Sequence, residues 1–158
     1  MARKSDQKSH DPGLVLDQQL CFAVYSLGHA FNRTYKPLLE ALGLTYPQYV
    51  AMMVLWERDG VTVTELGERL LLDSGTLTPL LKRLEAGGLV RRVRDADDQR
   101  QVRIHLTKTG QGLGEKASAV PVQMLCTTGR TAPELRALKE ELVRLRDQLN
   151  ARETATAR

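Results

Sequence analysis

Among the residue types able to do covalent or acid–base chemistry, this sequence holds two cysteines, Cys21 and Cys126, and three scattered histidines, His10, His29 and His105. The histidines have no carboxylate or cysteine at metal-ligand spacing, so no metal centre or cofactor is expected, and no nucleophile motif points to an enzyme. Two thiols are too few for the disulfide framework of a secreted domain; they read as free thiols or a redox pair. The commonest role of a lone cysteine on an apolar helix is an inert buried one. GQGLG, from Gly110 to Gly114, mimics a phosphate loop but lacks the Gly-Lys-Ser/Thr that would grip phosphate.

The chain that must position these groups has 158 residues, 42% hydrophobic and 27% charged, which suits one globular core. No run approaches the roughly 20 apolar residues of a membrane span. The polar start MARKSDQKSHDPG lacks the apolar stretch of a secretory signal, so residues 1–12 are expected to form a flexible arm on a cytoplasmic protein, with 13–158 as a single domain. The net charge of +4 is mild, but its placement is uneven. Between Pro79 and Gly110 eight bases (Lys82, Arg83, Arg91, Arg92, Arg94, Arg100, Arg103, Lys108) face four acids, and the remainder of the chain balances. A nucleic-acid footprint, if present, belongs in this middle third.

Asp11 and Pro12 signal a helix start, and Leu16, Leu20, Val24, Leu27 and Phe31 recur at helical steps up to a stop expected near Lys36, ahead of Pro37. PLLEALGL reads as a short helix closed by Gly43, and Thr45 with Gln48 forms a capping box that opens a mostly apolar helix ending at Gly60. VTV is a small strand; Thr64 caps a two-turn helix that breaks at Leu72. Asp73 caps SGTLTPLLKRLEAGG, where Leu77, Leu80, Leu81 and Leu84 share one face and Pro79 distorts the second turn. LVRRVR and QVRIHL form a hairpin around DADDQ. Thr107 restarts helix, interrupted at Pro121, and the Thr131/Glu134 capping box opens a last helix with a narrow seam of Leu135, Leu138, Leu142, Leu145 and Leu149. Such a seam on an otherwise charged terminal helix favours a partner helix.

Two short helices, a tight turn and a basic hairpin follow the order of a winged helix-turn-helix, so the fold class is mainly α with a small β-hairpin wing. With the four leucines inward, Gly75, Thr76, Thr78, Pro79, Lys82 and Arg83 face outward. Small hydroxylated residues let the backbone approach base edges, and cations hold phosphates. Ser74, Thr76 and Thr78 are therefore expected near bases, and Lys82 and Arg83 near phosphates or bases. In the wing, Arg94 and Arg100 are expected on DNA, Arg100 in the minor groove and oriented by a charge-assisted bond from Asp98. Capping is the simpler role for Ser74 and Thr76.

DSGTLTPLLKRLEAGGLVRR followed by DDQRQVRIHLTKTG resembles the recognition helix and wing of the MarR family of winged helix-turn-helix regulators, and the similarity extends from about Leu16 to the last helix. LCFAVYSLGHAFNRTYKPLLEALGLTYPQYVAMMVLWE is most similar to the organic hydroperoxide sensor (OhrR) branch, two-cysteine type. The resemblance implies a winged-helix lobe at about 61–107 between dimerisation helices at about 13–43 and 108–152, a homodimer, and an inverted-repeat operator on double-stranded DNA. It implies Cys21 as the peroxide-reactive thiol, Cys126 as the resolving one, and Tyr35 and Tyr46 as hydrogen-bond donors to the Cys21 thiolate. Phenolic donors favour the charged sulfur that attacks peroxide. Helix dipole is expected to add little, with Cys21 about two turns inside its helix. Tyr35, 14 residues on, stands about 21 Å along a straight helix, so contact requires the other subunit.

Three other readings compete. A regulator of the same fold released by a small aromatic ligand would leave Cys21 structural. A peroxidase would turn over, and a dimerisation module would carry its basic wing incidentally.

Overall fold

A 3-10 turn over Leu16–Gln18 leads through an extended Gln19 into α1, Leu20–Glu40. This is the first long element of a computed structural model that describes residues 14–156. The helix start expected at Asp11 and Pro12 and the arm over 1–12 lie outside those residues. Because α1 begins at Leu20, Cys21 is its second residue, not two turns inside it as expected.

Helix α1 also continues past Lys36, contrary to the stop expected there, and includes Pro37. A proline costs one backbone bond and crowds one carbonyl, and Leu39, which is 1% exposed, anchors the last turn in the core. PLLEALGL is thus the end of α1 and its closing turn, where Gly43 takes φ +67° and the Leu44 N–H bonds the Leu39 carbonyl.

Helix α2, Tyr46–Glu57, opens on the expected Thr45/Gln48 box. Strand β1 (Val61–Thr62) leads directly into α3, Val63–Leu70, whose cap is Thr62 and not Thr64. Thr62 accepts from the Glu65 N–H while Glu65 accepts from the Thr62 N–H, a reciprocal box that Thr64 could not form. The break falls one residue before Leu72: Leu71 adopts φ +55°, the one non-glycine positive φ among the described residues. Helix α4, Ser74–Ala86, runs through Pro79 with Leu77, Leu80, Leu81 and Leu84 all buried.

Strands β2 (Val90–Arg94) and β3 (Val102–Leu106) form the hairpin, and β1 adds to the far side of β3, so that the antiparallel order is β1-β3-β2. Thr107 caps α5, Lys108–Ala117. Pro121 does interrupt, by sitting in the first turn of a new helix, α6, Val120–Thr128. Helix α7, Ala132–Thr156, follows the Thr131/Glu134 box.

The core joins α1 and α2 (Leu39, Met52, Leu55) to the lobe (Leu66, Leu77, Leu81, Leu84, Ile104). GQGLG belongs to this packing: the Gly110 carbonyl accepts from Trp56 Nε1 at 2.8 Å. A Cβ at Gly110 would lie 2.0 Å from the Leu89 carbonyl oxygen, and one at Gly114 would lie 3.0 Å from the Trp56 ring. By contrast Leu20, Val24, Leu27 and Phe31 of α1, and Leu138, Leu142 and Leu149 of α7, remain exposed on the single chain. No helix among the described residues is long and apolar enough to cross a membrane.

Candidate functional site

The outward face of α4 is built from its cap upward. The Asp73 carboxylate accepts from the Thr76 N–H and hydroxyl, both at 2.9 Å, and these bonds hold it below the usual carboxylate range. Asp73 is therefore the cap; Thr76 serves it as donor, which leaves the Thr76 oxygen an acceptor for a ligand. Ser74, Thr78, Lys82 and Arg83 are exposed beside it. All five residues expected on DNA from this helix lie on one open face, polar at the N-terminal end and cationic further on.

Six of the eight bases in the middle third are exposed and form no ion pair among the described residues, and two are engaged. Arg92 bonds Glu85 at 2.7 Å, tying β2 to α4, and its hydrogen bond lowers the Glu85 pKa. Arg103 donates through Nε to Asp95 and through Nη1 to the Gly60 carbonyl at 2.9 Å. Asp95 also accepts from the Asp97 N–H at 2.8 Å and the Asp98 N–H at 3.3 Å, which together with Arg103 pull its pKa down. One carboxylate thus folds the wing loop and one guanidinium ties that loop to the α2–β1 corner. Sequence reasoning counted Arg103 as free charge and gave Asp95 no role. Its position on the central strand, paired with Thr62 on one side and Val93 on the other, appears only once β1 joins the sheet.

Arg94 and Arg100 flank this anchored loop and are exposed. Asp98 does meet Arg100, but through the Arg100 backbone N–H at 3.1 Å and not through its guanidinium. A second bond goes to Gln101 at 3.3 Å, so Asp98 shapes the turn and leaves the Arg100 side chain free to reach outward.

Cys21 and Cys126 are both exposed and both free, one in the first turn of α1 and the other near the end of α6. Exposure removes the structural role for Cys21 within its own chain. The start at Leu20 instead puts Cys21 in the first turn, where the backbone N–H groups of the helix have no helical acceptor and Gln19 supplies no side-chain cap. Tyr35 and Tyr46 meet each other, with ring centroids 4.9 Å apart, and Tyr49 lies 6.1 Å from Tyr35. Burial, with the neighbouring phenols, pushes the Tyr35 pKa up, so its hydroxyl stays a donor. Helix α1 is continuous between Cys21 and Tyr35, which keeps them about 21 Å apart in one chain. No group of His, Cys, Asp and Glu suited to a metal occurs among the described residues.

Comparison with known proteins adds to this geometry. The family described as transcriptional regulator SarA/Rot matches residues 33–116. The chain is 54% identical over 156 residues (98% of this chain, 80% of the relative) to the HTH-type transcriptional regulator TtmR of Methylorubrum extorquens. It is 44% identical over 137 residues (87% and 93%) to the organic hydroperoxide resistance transcriptional regulator of Bacillus subtilis. The crystal structure of AbfR of Staphylococcus epidermidis superposes with a TM-score of 0.73 at 38% identity, covering 86% of this chain and 94% of that one. AbfR has also been solved reduced on DNA, overoxidised on DNA, and with its disulfide formed.

Proposed function

The chain belongs to the SarA/Rot family of MarR-like winged-helix transcriptional regulators, and from that premise we propose that it is a cytoplasmic, homodimeric, DNA-binding repressor that organic hydroperoxides switch off through Cys21. The observation that carries the reading is the placement of the two thiols. Both are exposed, Cys21 on α1 and Cys126 on α6, outside the 61–107 lobe that presents α4 and the wing. A relative named for organic hydroperoxide resistance and a neighbour solved in reduced and disulfide forms support it.

Two copies set their α4 helices on one face of a duplex, with Ser74, Thr76 and Thr78 near base edges and Lys82 and Arg83 on phosphates or guanine. Arg94 meets DNA from the wing and Arg100 reaches into the adjacent minor groove, which Asp98 supports by fixing the turn. A two-fold dimer calls for an inverted-repeat operator with half-sites about one helical turn, or a multiple, apart.

The switch begins with the Cys21 thiolate, to which the partner's Tyr35 and Tyr46 donate. The sulfur attacks the terminal hydroperoxide oxygen, the O–O bond breaks, and the alkoxide leaves as an alcohol after taking a proton. Cys21 is now a sulfenic acid. The Cys126 thiol attacks that sulfur, a disulfide forms and water leaves, so the reaction stops short of irreversible overoxidation. Losing the tyrosine bonds and drawing two helices together shifts the half-site spacing that DNA requires.

A cleft of about 590 Å³ that includes Tyr49, Met53, Trp56 and Arg69 favours a second reading, release by a small aromatic ligand. Mass spectrometry after one equivalent of an alkyl hydroperoxide separates the two. The thiol switch gives a Cys21–Cys126 link that Cys126→Ser lacks and that dithiothreitol removes; unmodified thiols would leave the ligand reading.

A further inference from the structure

Trp56, the one tryptophan of the chain, stands half-buried in the last turn of α2 and donates its indole N–H to the Gly110 carbonyl at 2.8 Å. That carbonyl lies in the first turn of α5, fastened to the base of the wing. The Thr107 hydroxyl accepts from the Gly110 N–H at 3.0 Å and donates to the Gly88 carbonyl at 2.6 Å, while the Thr107 N–H donates to the Leu89 carbonyl at 3.0 Å. Thr107 follows β3 and Leu89 precedes β2, so one knot of bonds holds both feet of the hairpin. There is no slack in it, because the space a Cβ would need at Gly110 is filled by the Leu89 carbonyl, and at Gly114 by the indole itself. Glycine weakens a helix interior, and here two of them serve this close approach.

The indole also meets the tyrosines. Its ring lies edge-on to Tyr49 with centroids 6.2 Å apart, Tyr49 lies 6.1 Å from Tyr35, and Tyr35 lies 4.9 Å from Tyr46. Tyr49 is 3% exposed, so it cannot swing aside into solvent when its neighbours move. Tyr46, Tyr49 and Trp56 stand on one unbroken helix at steps of three and seven, a single stripe about 15 Å long. Four rings in contact thus run from Tyr35 and Tyr46 to the base of the wing.

We propose, resting on the thiol switch above, that Trp56 is the joint through which the state of Cys21 reaches the wing. Oxidation takes the thiolate away from the Tyr35 and Tyr46 hydroxyls, the two rings shift, and Tyr49 carries the shift along α2 to the indole. Apolar packing between helices tolerates small slides, whereas a hydrogen bond weakens steeply with distance and angle. The Trp56–Gly110 bond therefore fixes the register of α2 against both feet of the hairpin, and a moving indole draws the wing with it. Trp56 touches neither peroxide nor DNA; it is a positioning residue.

Coupling between two sites is a free energy, read as a ratio of affinities. Full-length wild type, Trp56→Phe and Gly114→Ala are titrated by fluorescence anisotropy against a labelled duplex selected for binding to reduced wild type, before and after one equivalent of an alkyl hydroperoxide. Mass spectrometry follows Cys21 in the same samples. Trp56→Phe keeps a ring and deletes the N–H. Gly114→Ala keeps the indole, pushes it off the carbonyl and improves the helix, so it serves where Trp56→Phe fails to fold. Cys21 should oxidise in both as in wild type, while the ratio of reduced to oxidised affinity falls about fivefold, the scale of one hydrogen bond. A Trp56 that only packs would lower the Tm and weaken both affinities alike, and a ratio equal to that of wild type overturns the inference while keeping the switch. Wild type that stays on the duplex after peroxide removes the switch and the joint with it.

Discussion

Arg103 and Asp95 lock the wing loop onto the corner behind it: the guanidinium donates to the Asp95 carboxylate on one edge and to the Gly60 carbonyl on the other. A wing held this way presents Arg94 and Arg100 at a fixed height above the recognition helix. Arg103 is thus a positioning residue, and Arg103→Gln should loosen the wing without removing a phosphate contact. Operator affinity should fall about tenfold, the scale of one lost base-pair contact, with the slope of log affinity against log salt unchanged. Hydroxyl-radical footprints should lose the flanking minor-groove protection and keep the central major-groove protection. Uniform loss of both would show a general folding defect.

Arg100→Ala makes the complementary case. Its side chain is free of Asp98, so on the proposed DNA contact its removal should weaken binding and lower the salt slope by about one unit. An unchanged slope in fluorescence anisotropy titrations would remove Arg100 from the interface.

These two arginines also show what the sequence discloses and what it withholds. The two-helix lobe with its hairpin, the inward leucines of α4 and its outward polar face were legible, because helical periodicity and caps are local signals, whereas the separate short helix expected at PLLEALGL is the end of α1. The Thr62 box was equally local, and Glu65 three residues on marks it. Arg103 could not be separated from Arg100 by spacing, since its role depends on a strand pairing across more than 40 residues. The true start of α1 was hidden by an apolar pattern that continues smoothly from the 3-10 turn at Leu16 into the helix. That hid the first-turn position of Cys21 as well.

Acid should weaken the DNA-binding lobe first. Glu65, Asp73, Glu85 and Asp95 all have folded-state pKa values below their ordinary ones, from hydrogen bonds by Thr62, Thr76, Arg92 and the wing loop with Arg103. Their contribution is present above the unfolded carboxylate pKa of about 4 and is lost as pH falls through the folded values. Thermal melts by circular dichroism should give a steady Tm from about pH 7 to 5 and a falling one below about 4. A Tm that is flat down to pH 3 would contradict this.

Leu71 takes a left-handed conformation with 65% of its surface exposed, so its side chain adds strain and little burial. Leu71→Gly should stabilise the protein by about 0.5–1 kcal/mol, since the glycine removes the Cβ clash and loses few contacts. Urea denaturation checks the direction; a lower midpoint would mean that Leu71 makes contacts worth more than its strain.

Operator release measured by fluorescence anisotropy on wild type and Cys21→Ser together, each given one equivalent of an alkyl hydroperoxide, tests the thiol switch most directly. The account predicts that wild type leaves the DNA and returns after dithiothreitol, while Cys21→Ser binds the reduced-state operator and stays on it. Release of Cys21→Ser as readily as wild type would contradict it.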